Sequence, residues 1–437
     1  KPALGLGVSA DRLELDGLLS ESLTWPEVTD ALKGFDANLR LTAGSVEWRG
    51  LNLDGLTLEA ALESGRLSVQ SLNARLGGAS LAASGGIGLG ALPSLHDVQL
   101  EIAAPMASAL PPVLTEALGL SAGFAALPFS LNLKSNGLPE ALSLNADIGL
   151  EDSRLSADAL LDLTKARGQG SVTFRHPSAA RLFALAFGRS EPVWMGEGSA
   201  SFIARIAAEG ADITLPFFTL VAADTRLSGE GRLELGSARP KFAWRIAAEN
   251  LALPPLDTTD TEPLPLAFLP GVDGSLSLMA TRIALFGLPP IQNVNAELTL
   301  ENGLLQLQSF NAALAGGRME GRGQVDTSVK PPLLEGSFDI SSATLAHPVF
   351  DFPFDLAAGR IDMAGRLAAS GHSASALIAS LQGAGRFLLA DGVLAGLALR
   401  DAYASAGLAD AAAAEAALRR ALLGGATAEM PGVYADG

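Results

Sequence analysis

Five stretches of this chain obey one rule, a period-2 alternation whose apolar side carries glycine or alanine at its centre. In "LQGAGRFLLADG" that side runs Leu381, Gly383, Gly385, Phe387 and Leu389, and in "LSGEGRLEL" it runs Leu227, Gly229, Gly231, Leu233 and Leu235. "LAASGGIGL" from Leu81, "LSADALLDL" from Leu155 and "MEGRGQV" from Met319 follow the same rule. The alternate positions are mostly polar, as in Ser228, Glu230, Arg232 and Glu234. A repeat of two residues specifies strands, because successive side chains of a strand point to opposite faces. Glycine inside a strand weakens it, so its recurrence on the apolar face needs a compensating use. One use is to let the sheet bend sharply into a rolled, groove-like form with Leu, Ile and Phe on the inner wall. The other is to let a second layer pack closely, as in a closed sandwich.

The rest of the chain fits a mainly β fold with a few short α-helices. Asp16-Gly17, Asp54-Gly55, Asn136-Gly137, Asp273-Gly274, Asn302-Gly303 and Asp391-Gly392 stand beside alternating apolar residues and read as hairpin turns, so the expected fold is a long curved antiparallel repeat sheet. "GRLSVQSLNARLGG" from Gly65 and "GLLQLQSFNAALAGG" from Gly303 align at a constant offset of 238 residues (303 − 65). In both, the apolar parity switches at the same place, which predicts a bulge or turn near Ser71 and Ser309. The upstream strands match as well, so the two halves read as a duplication. Helices are expected over 105–119, over 177–188 with Gly188 as its stop, after Ser373, and from Ala409 with Asp410 near the cap. The Pro-, Thr- and acid-rich stretch Leu253 to Gly271 reads as a linker. The organisation expected is a β-repeat region over 1–170, a middle β region over 171–257, a linker over 258–271, a C-terminal β region over 272–400, and a helix and tail over 401–437.

Composition narrows the function classes. Forty-eight per cent of residues are hydrophobic against 18% charged, so the chain can bury a large core. A net charge of −17 speaks against nucleic acid as a partner, since phosphate backbones demand basic patches. There is no cysteine, so neither disulfides nor thiolate chemistry enter. The four histidines, His96, His176, His347 and His372, show no metal-ligand spacing and read as surface or loop residues, so no metal and no cofactor is expected. "GGIGLG" from Gly85 lacks the lysine and the following helix that phosphate binding uses. The acid pairs Glu14 with Asp16 and Glu151 with Asp152 read as solvated edge and turn charges rather than a glycosidase dyad. With no catalytic constellation, the chain reads as a non-enzyme. No apolar run is long enough to span a bilayer as a helix, and the start "KPALGLGVSADRLEL" reads as the beginning of a piece of something longer.

From about residue 170 the sequence resembles the AsmA family of bacterial envelope proteins, relatives of TamB. The resemblance is carried by "LPLAFLPGVDGSLSLMATRIALFGLPPIQNVNAELTLENGLLQLQSFNAALAGGRMEGRGQVD" and by "GRIDMAGRLAASGHSASALIASLQGAGRFLLADGVLAGLALRD". In the second, Gly371, Ser373, Leu381, Gly383, Asp391, Gly392 and Gly396 match the family's closing pattern. The resemblance implies a periplasmic protein held at the inner membrane by an N-terminal helix outside these residues, acting in outer-membrane biogenesis. It further implies a groove for acyl chains, bridging inner and outer membranes. On that reading the partner is a phospholipid or other apolar ligand, and Leu67, Val69, Leu298, Leu300, Leu305 and Leu307 are the candidate groove lining. The alternative is an assembly or regulatory factor for outer-membrane or other envelope proteins that acts by β-strand addition at an open sheet edge.

Overall fold

The computed structural model describes residues 3–16, 29–30, 32, 34–48, 50–117, 119, 121–188, 190–254, 257–285, 289–345, 355–395, 403–404, 407, 410–423 and 427–436. Two compact units, residues 1–224 and 225–437, make up the chain, and each is built on β-strands that pair with their neighbours in sequence.

The first unit contains β1 (Ala3–Glu14), β2 (Asp36–Trp48), β3 (Leu51–Glu63), β4 (Arg66–Leu76), β5 (Ala79–Leu89), β6 (Pro93–Ala104), β7 (Phe129–Leu138), β8 (Ala141–Leu150), β9 (Ser153–Asp162), β10 (Arg167–His176), β11 (Ala200–Glu209) and β12 (Asp212–Ala222). From β2 to β12 each strand lies antiparallel to the next, whereas β1 and β2 run parallel, Ala3 beside Asp36 and Glu14 beside Glu47. The second unit contains β13 (Thr225–Glu234), β14 (Lys241–Leu253), β15 (Asp273–Leu285), β16 (Ile291–Glu301), β17 (Leu304–Leu314), β18 (Gly317–Asp326), β19 (Leu333–Leu345), β20 (Asp355–Ser370), β21 (Gln382–Ala395) and β22 (Thr427–Asp436). Its neighbours are all antiparallel except β14 and β15, which run parallel. The fold is therefore a mainly β, repeat-built sheet architecture, as the alternation requires.

The duplication extends to register, bulges and packing. The parallel register of β1 on β2 skips one residue after Ala10 beside Ala43, and that of β14 on β15 skips one after Ala248 beside Ala280. Between β3 and β4 the register shifts after Asp54 and after Glu59; between β16 and β17 it shifts after Gln292 and Glu297, each 238 residues later. The parity switch in the sequence is a bulge in both copies, between Val69 and Leu72 and between Leu307 and Phe310. One buried cluster is formed by Ala43, Val46, Leu56 and Ala74, and its counterpart by Ala280, Ile283, Val294 and Ala312 together with Ala248.

Hairpin turns are made where two successive residues take positive φ: Ser64-Gly65 at 51° and 79°, Asn302-Gly303 at 55° and 81°, Ala315-Gly316 at 49° and 80°. Such turns match the twist of the strands they join. Of the six dipeptides read as hairpin turns, Asn302-Gly303 is one. Asp54-Gly55 and Asp391-Gly392 instead lie inside β3 and β21, Asn136-Gly137 lies within β7, and Asp273-Gly274 opens β15; Gly17 is outside the described residues. A bulge demands the same left-handed backbone as a turn, so the dipeptide alone does not separate the two.

The helices among the described residues include α1 (Pro112–Ala117), α2 (Ala179–Phe187), α3 (Ala374–Ser380) and α4 (Ala411–Leu423). Ser178 Oγ accepts from Arg181 N at 3.1 Å and Ser373 Oγ from Ala376 N at 3.2 Å, satisfying N–H groups that the first turn leaves free. Gly188 closes α2 in the left-handed conformation. The helix expected over 105–119 is instead a 3-10 turn, Ala107–Ala109, followed by the short α1. Adjacent Pro111 and Pro112 cannot continue a helix that begins before them. The 3-10 turn earns its place by packing: Ala107 and Leu110 bury against Ala79, Ile102, Ala104 and Phe129. No helix among the described residues is long and apolar enough to cross a membrane.

The Pro- and Thr-rich stretch after β14 lies inside the second unit. It carries the chain back so that β15 can run parallel to β14, and it is tied down on the way, Leu264 N donating to His372 O at 2.7 Å and Ser375 N to Asp260 O at 3.0 Å.

Candidate apolar binding face

Directly paired residues of neighbouring strands project from the same face, so the register assigns the side chains. In the second unit Leu298 stands opposite Leu307, and Leu300 opposite Leu305. The first pair continues a lane that runs from Trp244 through Leu276 on one side and through Gly323 and Gly336 to Leu367 on the other. The second continues from Phe242 through Gly274, and onward through Val325 and Leu334 to Ala369. Four of the expected lining residues thus share one apolar patch. Leu298, Leu305 and Leu307 are half-buried, while Leu300 is 2% exposed and belongs to the packed interior of the patch.

Leu67 and Val69 occupy the equivalent positions in the first unit, since 67 + 238 is 305 and 69 + 238 is 307. There Leu67 stands between Leu62 and Ile87, and Val69 between Ala60 and Gly85; both are half-buried. The six candidates therefore form two equivalent sets, one in each unit.

The glycines have a specific use on this face. A Cβ on Gly231 would lie 2.2 Å from the ring of its cross-strand partner Trp244; one on Gly274 would lie 2.6 Å from the ring of Phe242, and one on Gly365 2.9 Å from that of Phe338. Large side chains lie across the small ones beside them, an arrangement that offsets what glycine costs a strand. Trp244, Phe242, Phe310 and Phe338 are the members of the face that reading the sequence missed. Alternation within each strand placed their neighbours, but only register shows that each aromatic meets a glycine.

The opposite face is polar. An open hollow of about 910 Å³ is lined by Gln308, Asn311, Glu320, Arg322, Asp339, Arg366 and Arg386 together with Phe310, Phe338, Gly321, Gly365 and Gly385. Many ion pairs are solvent-exposed, such as Arg245 with Glu230 at 2.7 Å, and pairs of this kind contribute little to stability.

One acid of each pair considered above is held in a surface ion pair. Glu14 pairs with Arg12 at 3.2 Å and Glu151 with Arg181 at 3.0 Å. Asp162, Asp257 and Asp326 are held below the usual carboxylate range chiefly by the hydroxyls of Thr164, Thr259 and Ser328 two residues on, which is turn chemistry. Asp273 is held low first by the N–H of Asn302 and then by Arg239. Among the described residues no three His, Asp or Glu side chains gather as a metal site. His176 departs from the surface expectation: it is buried at the end of β10, its Nδ1 2.6 Å from Ser178 O. His347 lies outside the described residues.

Residues 248–421 match the AsmA family. This is the part of the chain that runs from within β14 through α4 and carries the lanes of the second unit. No curated protein and no solved structure matches the chain.

Proposed function

We propose that this chain, an AsmA-family protein over residues 248–421, is a non-enzymatic periplasmic protein of envelope biogenesis that carries or bridges phospholipid acyl chains along its apolar β-face between the inner and outer membranes. The family is envelope-associated and is not a known enzyme family, which supports the setting. The observation that carries the cargo reading is the run of apolar and glycine positions from Trp244 to Leu367 across seven neighbouring strands, with Leu298 and Leu307 half-buried at its centre. Contact with such a face removes apolar area from water at about 25 cal/mol per Å², or roughly 0.8 kcal/mol per methylene, so six methylenes would supply about 5 kcal/mol. Binding by area alone discriminates weakly between head groups, because a few placed polar groups normally supply that choice.

Native mass spectrometry of the purified chain, with lipid extraction from the same sample, tests this reading. Phospholipid at defined stoichiometry is expected, lost in a folded Leu298→Asp, Leu305→Asp variant and retained in Gln308→Asp. A folded wild-type chain that stays lipid-free after incubation with phospholipid vesicles would refute it.

A further inference from the structure

Within the second unit, β18, β19 and β20 set Arg322, Ser337 and Arg366 directly opposite one another, with the serine in the middle. Alternation puts the three on the face away from Gly323, Gly336 and Leu367. Both arginines are exposed, and among the described residues neither makes an ion pair or a hydrogen bond. The acids nearby do not neutralise them. Glu320 pairs with Arg318 at 3.6 Å, and Glu335 accepts from Gln324 Nε2 at 2.8 Å. Asp339 stands in the next row, which mixes both signs: Arg386 there is opposite Asp436. Two hollows meet at the arginine pair. The one of about 910 Å³ and a neighbour of about 680 Å³ share Arg322, Ser337, Arg366 and Ala384 as lining.

The duplication shows that the fold does not need this pair. At the offset of 238 residues, Arg322 and Ser337 correspond to Ser84 and Gln99, which also stand opposite each other. The next strand sets Lys134 against Gln99, where β20 sets Arg366 against Ser337. The first unit thus builds the same row with one cation. The second faces two guanidiniums across a hydroxyl, their backbones two strand spacings or about 9.5 Å apart. Long side chains flanking a short one converge over it, and like charges brought together repel unless an anion stands between them.

We infer that Arg322 and Arg366 form a site for a phosphate-type oxoanion, held between the two guanidiniums over the Ser337 hydroxyl. A planar guanidinium fork matches two oxygens of a phosphate, and the serine supplies one more donor. The oxoanion is either free phosphate or the head group of a phospholipid. The site lies on the face opposite the apolar lanes, so the inference is independent of the acyl-chain reading.

Isothermal titration calorimetry of the full chain in phosphate-free buffer tests this, with inorganic phosphate in one arm and soluble dihexanoyl phosphatidic acid in the other. Because that lipid has a second place to seat on the apolar face, its arm is run in the Leu298→Asp, Leu305→Asp background. Saturable binding is expected in at least one arm. Arg322→Gln and Arg366→Gln should each weaken it at least tenfold, and Arg205→Gln, at an exposed arginine of the first unit, should not. Arg366→Lys keeps the charge without the fork and should recover only part of the loss. Phosphate binding at least as tightly as the lipid assigns the site to free phosphate, and tighter binding of the lipid assigns it to a head group. No saturable binding in either arm, or a loss smaller than tenfold in either glutamine variant, overturns the proposal.

Discussion

Replacing Gly231 with alanine isolates the use of glycine on the apolar face. The new Cβ would stand 2.2 Å from Trp244 Cε3 and 2.3 Å from Cζ3, where carbon atoms pack at about 3.5–4.0 Å. Relief therefore needs the indole to shift by more than about 1 Å. Two effects oppose each other. Alanine narrows the unfolded ensemble, a gain of about 0.4–1 kcal/mol, and Gly231 is not among the positive-φ glycines, so the backbone adds no strain. Overpacking a fitted site costs about 1–3 kcal/mol. The steric cost wins, and Gly231→Ala should destabilise the second unit by roughly 1–2 kcal/mol. Gly336 is the control, because its nearest neighbour to a new Cβ is Arg322 O at an ordinary 3.4 Å; Gly336→Ala should be neutral or slightly stabilising. The assay is urea unfolding followed by Trp244 fluorescence in a background with Trp25, Trp48 and Trp194 changed to Phe. The midpoint should fall for Gly231→Ala at unchanged slope. Adding Trp244→Leu, with all four corners of the cycle read by far-ultraviolet circular dichroism because that change removes the fluorophore, should recover part of the loss, a coupling of about 1 kcal/mol or more. If Gly231→Ala and Gly336→Ala unfold at the same midpoint, the ring does not depend on the glycine and the reasoning fails.

Two further tests bear on the fold. Val294 is 1% exposed in the cluster of the second unit, and Leu56 holds the equivalent place in the first; Val294→Ala should cost about 1–3 kcal/mol and Leu56→Ala about 2–5 kcal/mol by urea unfolding, each in its own unit. Because the N–H of Asn302 and then Arg239 hold the Asp273 carboxyl below the usual carboxylate range, its contribution is present above about pH 4 and is lost as pH falls through the folded value. An acid titration of Asp273→Asn should show lower stability than wild type at neutral pH and convergence at the acid end, and parallel curves down to pH 2 would refute the assignment.

The sequence made the strands legible because alternation encodes which face a residue takes, and a shift of parity encodes a bulge. That is why the irregularities near Ser71 and Ser309 could be placed, and why an offset of 238 fixed the duplication. Local capping was equally readable at Gly188 and Ser373. Strand direction was not, since the parallel joints of β1 with β2 and of β14 with β15 leave no mark on parity. Nor was the meeting of Trp244 with Gly231, because it depends on register between strands rather than order within one. Asp54-Gly55 and Asp391-Gly392 were misread for a different reason: left-handed backbone is needed in a bulge as well as in a hairpin. The site was partly legible. Leu298, Leu300, Leu305 and Leu307 do share a patch, but the closure of Leu300 could not be foreseen from its alternation.

Rings lying in the gaps of neighbouring glycines also decide the relief of the face. A surface with bulky side chains laid flat offers few separate notches in which a methylene chain could lodge. Each displacement of such a chain along the lane exchanges one apolar contact for an equivalent one, so the energy profile for sliding is shallow. The economy that keeps a glycine-rich sheet packed would thus give its face the character of a track, on which an occupant is held against the sheet yet little resisted as it passes from strand to strand.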